Sequence, residues 1–503
     1  MEKRNCKKWE IFEISVKGPS DGNPFLEQWV RAEFTSQNER VVCQGFYDGD
    51  GQYKVRFMPS FEGEYHYSLT SSFGVEKIGF FTATEPEDYN HGPVRVAGKF
   101  HLAYEDGTPY YSIGTTCYVW ELQSDEMIEQ TFETLETSAF NKIRFCIFPK
   151  HYSFNLKEPR SYPYIGTPMD SSVLNDDNFW SYTGKTEGNQ WDFYRFNPDH
   201  FAHIEKCIER LKRMGIEADL ILMHPYDRWG FSCMSHEQDL FYLQYVVHRF
   251  SAYSNVWWSL ANEYDLMPQK SLMDWEDFAQ TIGEHDPYRH MRSIHNCAVH
   301  YNWGRPWVTH CSVQRTDLYK TAEEVEELRE RYGKPVVLDE IAYEGNIPFG
   351  WGNISPEEMV RRFWEGALRG GYPGHGETYL GHDGLLWWSH GGKLYGESHK
   401  RFGFLLDQLK QVPGHGLRPL HREWDEVCAV PQSTFGSKSD YYLIYYSFMR
   451  PLYREFHFDE DSSWKVSVLD TWNMTVEEKG IYSGRFRIDL PGREYMAIKI
   501  ERI

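Results

Sequence analysis

A chain of 503 residues is too long for one ordinary core, and its 18 Trp, 34 Tyr and 32 Phe supply the apolar surface to bury several, which argues against a disordered chain. Acids outnumber bases 74 to 53, and the formal charge of −21 disfavours nucleic acid and anionic membrane surfaces as partners. No long apolar run predicts a transmembrane helix, the opening MEKRNCKKWEIFEISV lacks the apolar stretch of a signal peptide, and nine scattered cysteines without a C-x-x-C pair fit a reduced, cytoplasmic protein.

Residues 1–95 read as all-β. Short alternating runs, Gln28–Phe34, Val41–Tyr47 and Tyr53–Met58, lie between turn clusters such as Asp48-Gly49-Asp50-Gly51, the pattern of an Ig-like β-sandwich. Pro86-Glu87-Asp88 and Asn90-His91-Gly92-Pro93 read as a linker.

From 96 to 420 apolar runs alternate with amphipathic helical patterns, which predicts α/β architecture and a parallel sheet. The expected strands are Tyr110–Gly114, Lys142–Phe148, Ala218–Met223, Val256–Leu260, Met291–Ile294, Trp307–His310, Val336–Asp339 and Leu385–Trp388. Thr321 with Glu324 and Ser355 with Glu358 read as capping boxes, Asn197-Pro198 as a helix start and Gly333 as a helix stop. Eight βα units of this length are those of a (β/α)8 TIM barrel, with a doubly wound sheet as the alternative. The segment His151–Trp191 fits neither period and falls where a barrel carries a long loop on its active face. Residues 421–503 return to β patterning, in Tyr441–Ser447, Trp464–Leu469 and Glu494–Ile500, and read as a C-terminal β-sandwich.

Barrel enzymes place their chemistry where strands end. The fourth strand runs into Asn262-Glu263 and the seventh into Asp339-Glu340. Three βα units of roughly 26 residues separate the two glutamates, close to the roughly 31 of a 250-residue barrel, so they face each other across the mouth. Each follows an apolar run, where an ionisable side chain is costly without a use. Two opposed carboxyls, one protonated and one ionised, are the requirement of glycoside hydrolysis.

These motifs resemble the retaining glycoside hydrolases of clan A, whose acid/base follows strand four and whose nucleophile follows strand seven. The resemblance implies Glu263 as acid/base, Asn262 as a contact to the sugar 2-hydroxyl and Glu340 as nucleophile. Phe140-Asn141-Lys142-Ile143-Arg144 resembles the second-strand motif whose arginine bonds the nucleophile. His224, Trp387 and Trp388 fall where the clan keeps a polar contact and a sugar floor. No tyrosine matches the one the clan often carries after strand six, which predicts His310 as the end of that strand and leaves the residue that orients the nucleophile open. Gly51-Gln52-Tyr53-Lys54-Val55-Arg56-Phe57 and Gly63-Glu64-Tyr65 are similar to the N-terminal domain of an uncharacterised bacterial group that joins an apiosidase-like barrel to two sandwiches.

On this reading Arg144 keeps Glu340 ionised, while burial among tryptophans and the nearby charge raise the pKa of Glu263. The carboxyls are expected about 5 to 5.5 Å apart. His295 and His310 are candidate substrate contacts, weighed against packed rim histidines. Asp227, Arg228 and Trp229 are either sugar contacts or a structural pair, and Asp265 and Glu344 read as solvated rim positions. Trp120, Trp229 and Trp388 are candidates for stacking on sugar faces. His375, Glu377, His382 and His390 cluster without a known metal-ligand spacing, so no metal and no cofactor is expected. Phosphate-loop, dinucleotide and serine-hydrolase motifs are absent. The sequence therefore predicts a retaining exo-β-glycosidase acting on neutral, plant-derived oligosaccharides in a cytoplasm, with self-association left open. A barrel that only binds carbohydrate or protein is the rival.

Overall fold

The computed structural model describes residues 4–154, 157–175, 177–317, 320–381, 386–421 and 426–503. Eight parallel strands form its centre: β1 (Gly114–Thr116), β2 (Lys142–Cys146), β3 (Glu217–Ile221), β4 (Val256–Ser259), β5 (Arg292–Ser293), β6 (Cys311–Gln314), β7 (Val336–Glu340) and β8 (Tyr372–His375). Strands pair with their chain neighbours and β8 returns to β1. Between β5 and β6 the ladder thins to one parallel bridge, His295 to Ser312. The Thr309 amide, donating to the Arg292 carbonyl at 2.9 Å, and the Ser293 hydroxyl, donating to the His310 carbonyl at 2.5 Å, reinforce that seam. The barrel is nearly closed.

Helices α1 (Asp125–Glu136), α2 (Pro198–Arg213), α3 (His236–Phe250), α4 (Leu272–His285), α5 (Glu324–Tyr332), α6 (Pro356–Leu368) and α7 (Phe402–Lys410) cover the strands. Their starts are chemically marked. Ser235 with Gln238 and Ser271 with Asp274 form reciprocal capping boxes, and Ser355 accepts from the Glu358 amide with Pro356 in the first turn. Gly333 closes α5 at φ 63°, a left-handed conformation that costs glycine little. Thr321 is not a cap: α5 begins at Glu324, and the Thr321 hydroxyl donates to the Asp317 carbonyl instead.

Alternation along β2 sends Ile143 and Phe145 into the core beneath the helices and Lys142 and Arg144 into the lumen. In the lower lumen, Lys142 pairs with Asp219 at 2.8 Å and with Asp339 at 2.7 Å. The floor is apolar. A hairpin of Val94–Ala97 and His101–Tyr104 inserts Val94 and Leu102 among Tyr110, Trp257, Val337 and Tyr372.

Three strand expectations are corrected. β1 starts at Gly114, where the expected strand ended, and β6 starts just after Trp307–His310. The eighth strand is Tyr372–His375, while Trp387–His390 is a single helical turn and Leu385 lies outside the described residues. The misreading has a packing cause. β8 carries Gly374 because a Cβ there would lie 2.9 Å from the Asp339 carbonyl oxygen, so a tightly packed strand reads as a turn. The segment 151–191 is also not wholly irregular, since Tyr164–Thr167 pairs with Gln190–Phe196.

On the N-terminal side a five-stranded and a three-stranded sheet share one core. Phe12 stacks on Phe81 at 3.9 Å and Phe34 on Phe57 at 4.3 Å across it. Arg56 ties this unit to the barrel through Glu205 and the Arg249 carbonyl. On the C-terminal side a six-stranded sheet and a two-stranded pair enclose Tyr442, Ile444, Val466, Phe456 and Phe486.

Candidate active site

The barrel mouth gathers Glu263, Glu340, Asn262 and Arg144 into one hydrogen-bonded path. Arg144 Nη1 donates to Asn262 Oδ1 at 2.9 Å and approaches Glu340 Oε1 at 3.4 Å. Asn262 Nδ2 donates to Glu263 Oε2 at 3.0 Å. Both glutamates are buried, at 5% and 6% exposure, so neither charge is screened by bulk water.

Local backbone geometry aims these groups. A register shift lets Ser312 and Gln314 on β6 oppose Val337 and Glu340 on β7, inserting one extra residue into β7. Consecutive side chains would otherwise point to opposite faces; here Asp339 and Glu340 both reach the lumen. Glu263 adopts φ 53°, a conformation that costs a non-glycine residue on the order of 1 kcal/mol or more and that concentrates at functional positions.

Three residues complete the site that the sequence reading did not identify. Tyr118, just beyond β1, donates its hydroxyl to Glu340 Oε1 and also reaches Asn262 Oδ1 at 3.2 Å. The hydroxyl on Glu340 thus comes from strand one and not from strand six. Tyr226 donates to Glu263 Oε2. Lys150 lies with its Nζ 3.3 Å from the centre of the Tyr118 ring and 4.4 Å from those of Tyr226 and Trp388. Burial pushes its ammonium down to about 8, against the raising influence of Cys146, Glu263 and Glu340. The available signal was positional: Lys150 follows the buried run Cys146-Ile147-Phe148-Pro149, as Glu263 and Glu340 follow theirs.

Burial, then the charge of Glu263, push the Glu340 carboxyl up; Arg144, Tyr118 and Lys150 oppose them. This is the reverse of the direction expected for Glu340. The sequence named the arginine but not how completely the barrel dehydrates the carboxyl.

The other candidates separate by depth. Trp388 stands at the mouth, edge-on to Tyr118 at 5.2 Å. Trp387 points away and donates to Thr115 Oγ1 at 2.8 Å inside the helix-facing core. His224 contacts the Phe148 carbonyl through Nε2 at 3.3 Å, and burial with Lys150 nearby pushes it down to about 3. His295 is fully buried, 3.8 Å from Glu340 Oε1, and burial followed by Arg144 holds it neutral. His310 is displaced from the mouth: it precedes β6, at the base of the barrel, and its ring lies 5.3 Å from Trp257 of the floor. Trp257 and Trp258 likewise bond Glu217 and Asp286, below and outside the mouth.

Asp227 accepts from the Trp229 and Ser232 amides, each at 2.8 Å, and Arg228 pairs with Glu158 at 2.6 Å, so both hold a loop. Asp265 is no free rim carboxylate either, for it accepts from the amides of Cys297, Ala298 and Val299. Glu344 is fully buried. Beside the site a cavity of 910 Å³ opens between Leu122, Lys150, Phe154, Arg160, Trp229 and Leu380. It shares Lys150 with the site and is not walled by either glutamate.

Comparison with known proteins fits this geometry. A family described as apiosidase-like, catalytic domain, matches residues 97–435. Domains of unknown function DUF5060 and DUF5605 match residues 5–72 and 424–501. A Bacteroides vulgatus protein provisionally described as a glycoside hydrolase is 35% identical over 100% of both chains, with a TM-score of 0.91. A glycoside hydrolase family 5 protein from the same organism superposes with a TM-score of 0.59 at 14% identity, covering 82% of this chain and 92% of its own, and at that identity speaks to fold alone. No curated protein matches the chain. Barrel and family together define a glycoside hydrolase. The chain belongs to the apiosidase-like family.

Proposed function

We propose that the protein is a retaining exo-β-glycosidase that removes sugars from neutral, plant-derived oligosaccharides by double displacement. Glu340 attacks the anomeric carbon while Glu263 protonates the leaving oxygen; Glu263 then takes a proton from the water that cleaves the glycosyl ester. The observation that carries this reading is the path Glu263–Asn262–Arg144–Glu340, which couples two buried carboxyls across the mouth. Burial and the charge of Glu263 make ionisation of Glu340 costly. Arg144, Tyr118 and Lys150 oppose the upward push of burial on Glu340 and so favour its ionised, attacking form. The Asn262 amide and the Tyr226 hydroxyl both donate to Glu263 Oε2 and orient its carboxyl.

Arg144 Nη2 and Trp388 Nε1 are buried donors with no hydrogen-bond partner among the described residues, and sugar hydroxyls would satisfy them. The buried thiols of Cys6, Cys43, Cys117, Cys146, Cys207 and Cys311 support a cytoplasmic location. We read the flanking sheet pairs as β-sandwich domains that frame the barrel.

Nitrophenyl glycosides assayed with wild type beside Glu340→Gly test the proposal. Turnover of one sugar that is lost in the variant and returns with azide, as a glycosyl azide, is the expected outcome. Turnover undiminished in Glu340→Gly would refute the assignment.

A further inference from the structure

Outside the catalytic centre, the structure brings together Glu344 from the segment after β7 with His375 and Glu377 at the end of β8. One ligating atom from each lies within 4.8 Å of those of the other two. All three side chains are buried, at 0%, 0% and 1% exposure. The segments Glu344-Gly345 and Glu377-Thr378 pair as short parallel strands, which sets the carboxylates side by side.

Two buried carboxyls this close need compensating positive charge, from a cation or a proton. Neither has a basic partner within ion-pair distance among the described residues. Their oxygens accept from four consecutive amides, Tyr395 through Ser398, together with the Ser398 and Tyr379 hydroxyls. Those are neutral donors, of the kind that orient carboxylates around a metal. His375 supplies the independent observation. Its Nδ1 is engaged by Thr115 Oγ1 at 3.0 Å, while its Nε2 is buried without any partner. In the tautomer that donates from Nδ1 to Thr115 Oγ1, Nε2 carries the lone pair a metal would take.

We propose that Glu344, His375 and Glu377 bind one divalent transition ion, Zn²⁺ or Mn²⁺, which staples the loops after β7 and β8 to the segment 395–398. A mixed carboxylate and imidazole set suits these ions better than Ca²⁺ or Mg²⁺, which take oxygen ligands. Metal–ligand bonds of about 2.0–2.2 Å place ligand atoms roughly 3.5 Å apart, so the side chains draw inward by up to about 1 Å on binding. The role is structural, separate from the proposed proton transfers of Glu263 and attack by Glu340.

The test is metal content and thermal stability of the intact chain, stripped with chelator and then titrated with ZnCl₂ or MnCl₂. We expect one equivalent bound and a rise in Tm of at least about 3 °C over the stripped protein. Glu377→Gln and His375→Gln should each lower affinity at least 30-fold. Absence of saturable binding by wild type overturns the proposal, as does binding that is unchanged in both variants. Should the variants fail to fold, the wild-type stoichiometry and Tm shift decide alone. Because the readout needs no substrate, failure here is distinguishable from failure of the glycosidase reading.

Discussion

Arg144→Met isolates the electrostatic work done on Glu340. At 3.4 Å the guanidinium–carboxylate attraction is about 5 kcal/mol for an effective dielectric constant of 20. Tyr118 still donates to Glu340 Oε1 in the variant, and methionine avoids the cost of burying a cation, so the net loss is smaller, about 2–3 kcal/mol. That corresponds to about 30- to 150-fold in kcat/KM. The sign of the pH effect is fixed. In the proposed mechanism Glu340 must be ionised to attack, and removing a group that lowers its pKa raises it further. The acid limb of the kcat/KM profile should therefore move up by about one to two pH units. The assay is a pH series on the glycoside found by the screen, with circular dichroism confirming the fold. Loss of activity with an unmoved acid limb would show that Arg144 only positions Asn262 or substrate, and would refute this account of the Glu340 charge.

Lys150→Met should move the same limb in the same direction by less, because Lys150 makes no ion pair; an unmoved limb in the pH series would remove it from the site. Lys142→Met leaves Asp219 and Asp339 buried without their shared cation and should cost about 3–5 kcal/mol, read as a large drop in Tm, whereas a melt within 2 °C of wild type would contradict a structural triad. Glu217 is pushed up to about 8 by burial, against its Trp257 hydrogen bond and Lys142. Folded Glu217 therefore binds a proton that the unfolded chain releases near pH 4.5, and its contribution falls as pH rises from about 4.5 to about 8, by on the order of 5 kcal/mol. Glu217→Gln keeps an acceptor for Trp257 and should flatten this slope in Tm measured from pH 5 to 8; an equally steep slope would place the titration elsewhere.

Much was legible because it is local or periodic. Alternating β runs at both ends, βα alternation between them and Asn262-Glu263 and Asp339-Glu340 after apolar strands are properties of short segments. Five of the eight strands, from β2 to β5 and β7, fall inside or within a residue of the expected runs. β8 escaped because its glycines answer to the close approach of β7, a neighbour that no local window contains. His310 was misplaced for a related reason: a strand shifted by four residues exchanges the top of a barrel for its base.

The sequence by itself determined the fold class and the two glutamates, since hydrophobic period and strand-end position are written in the order of residues. Tertiary structure alone decided what surrounds them. Tyr118 lies 222 positions from its partner Glu340, Lys150 is caged by rings from three separate segments, and Glu344, His375 and Glu377 become neighbours only when β7 and β8 pair. Electrostatics depends on distance and dehydration in space, and neither is a function of separation along the chain.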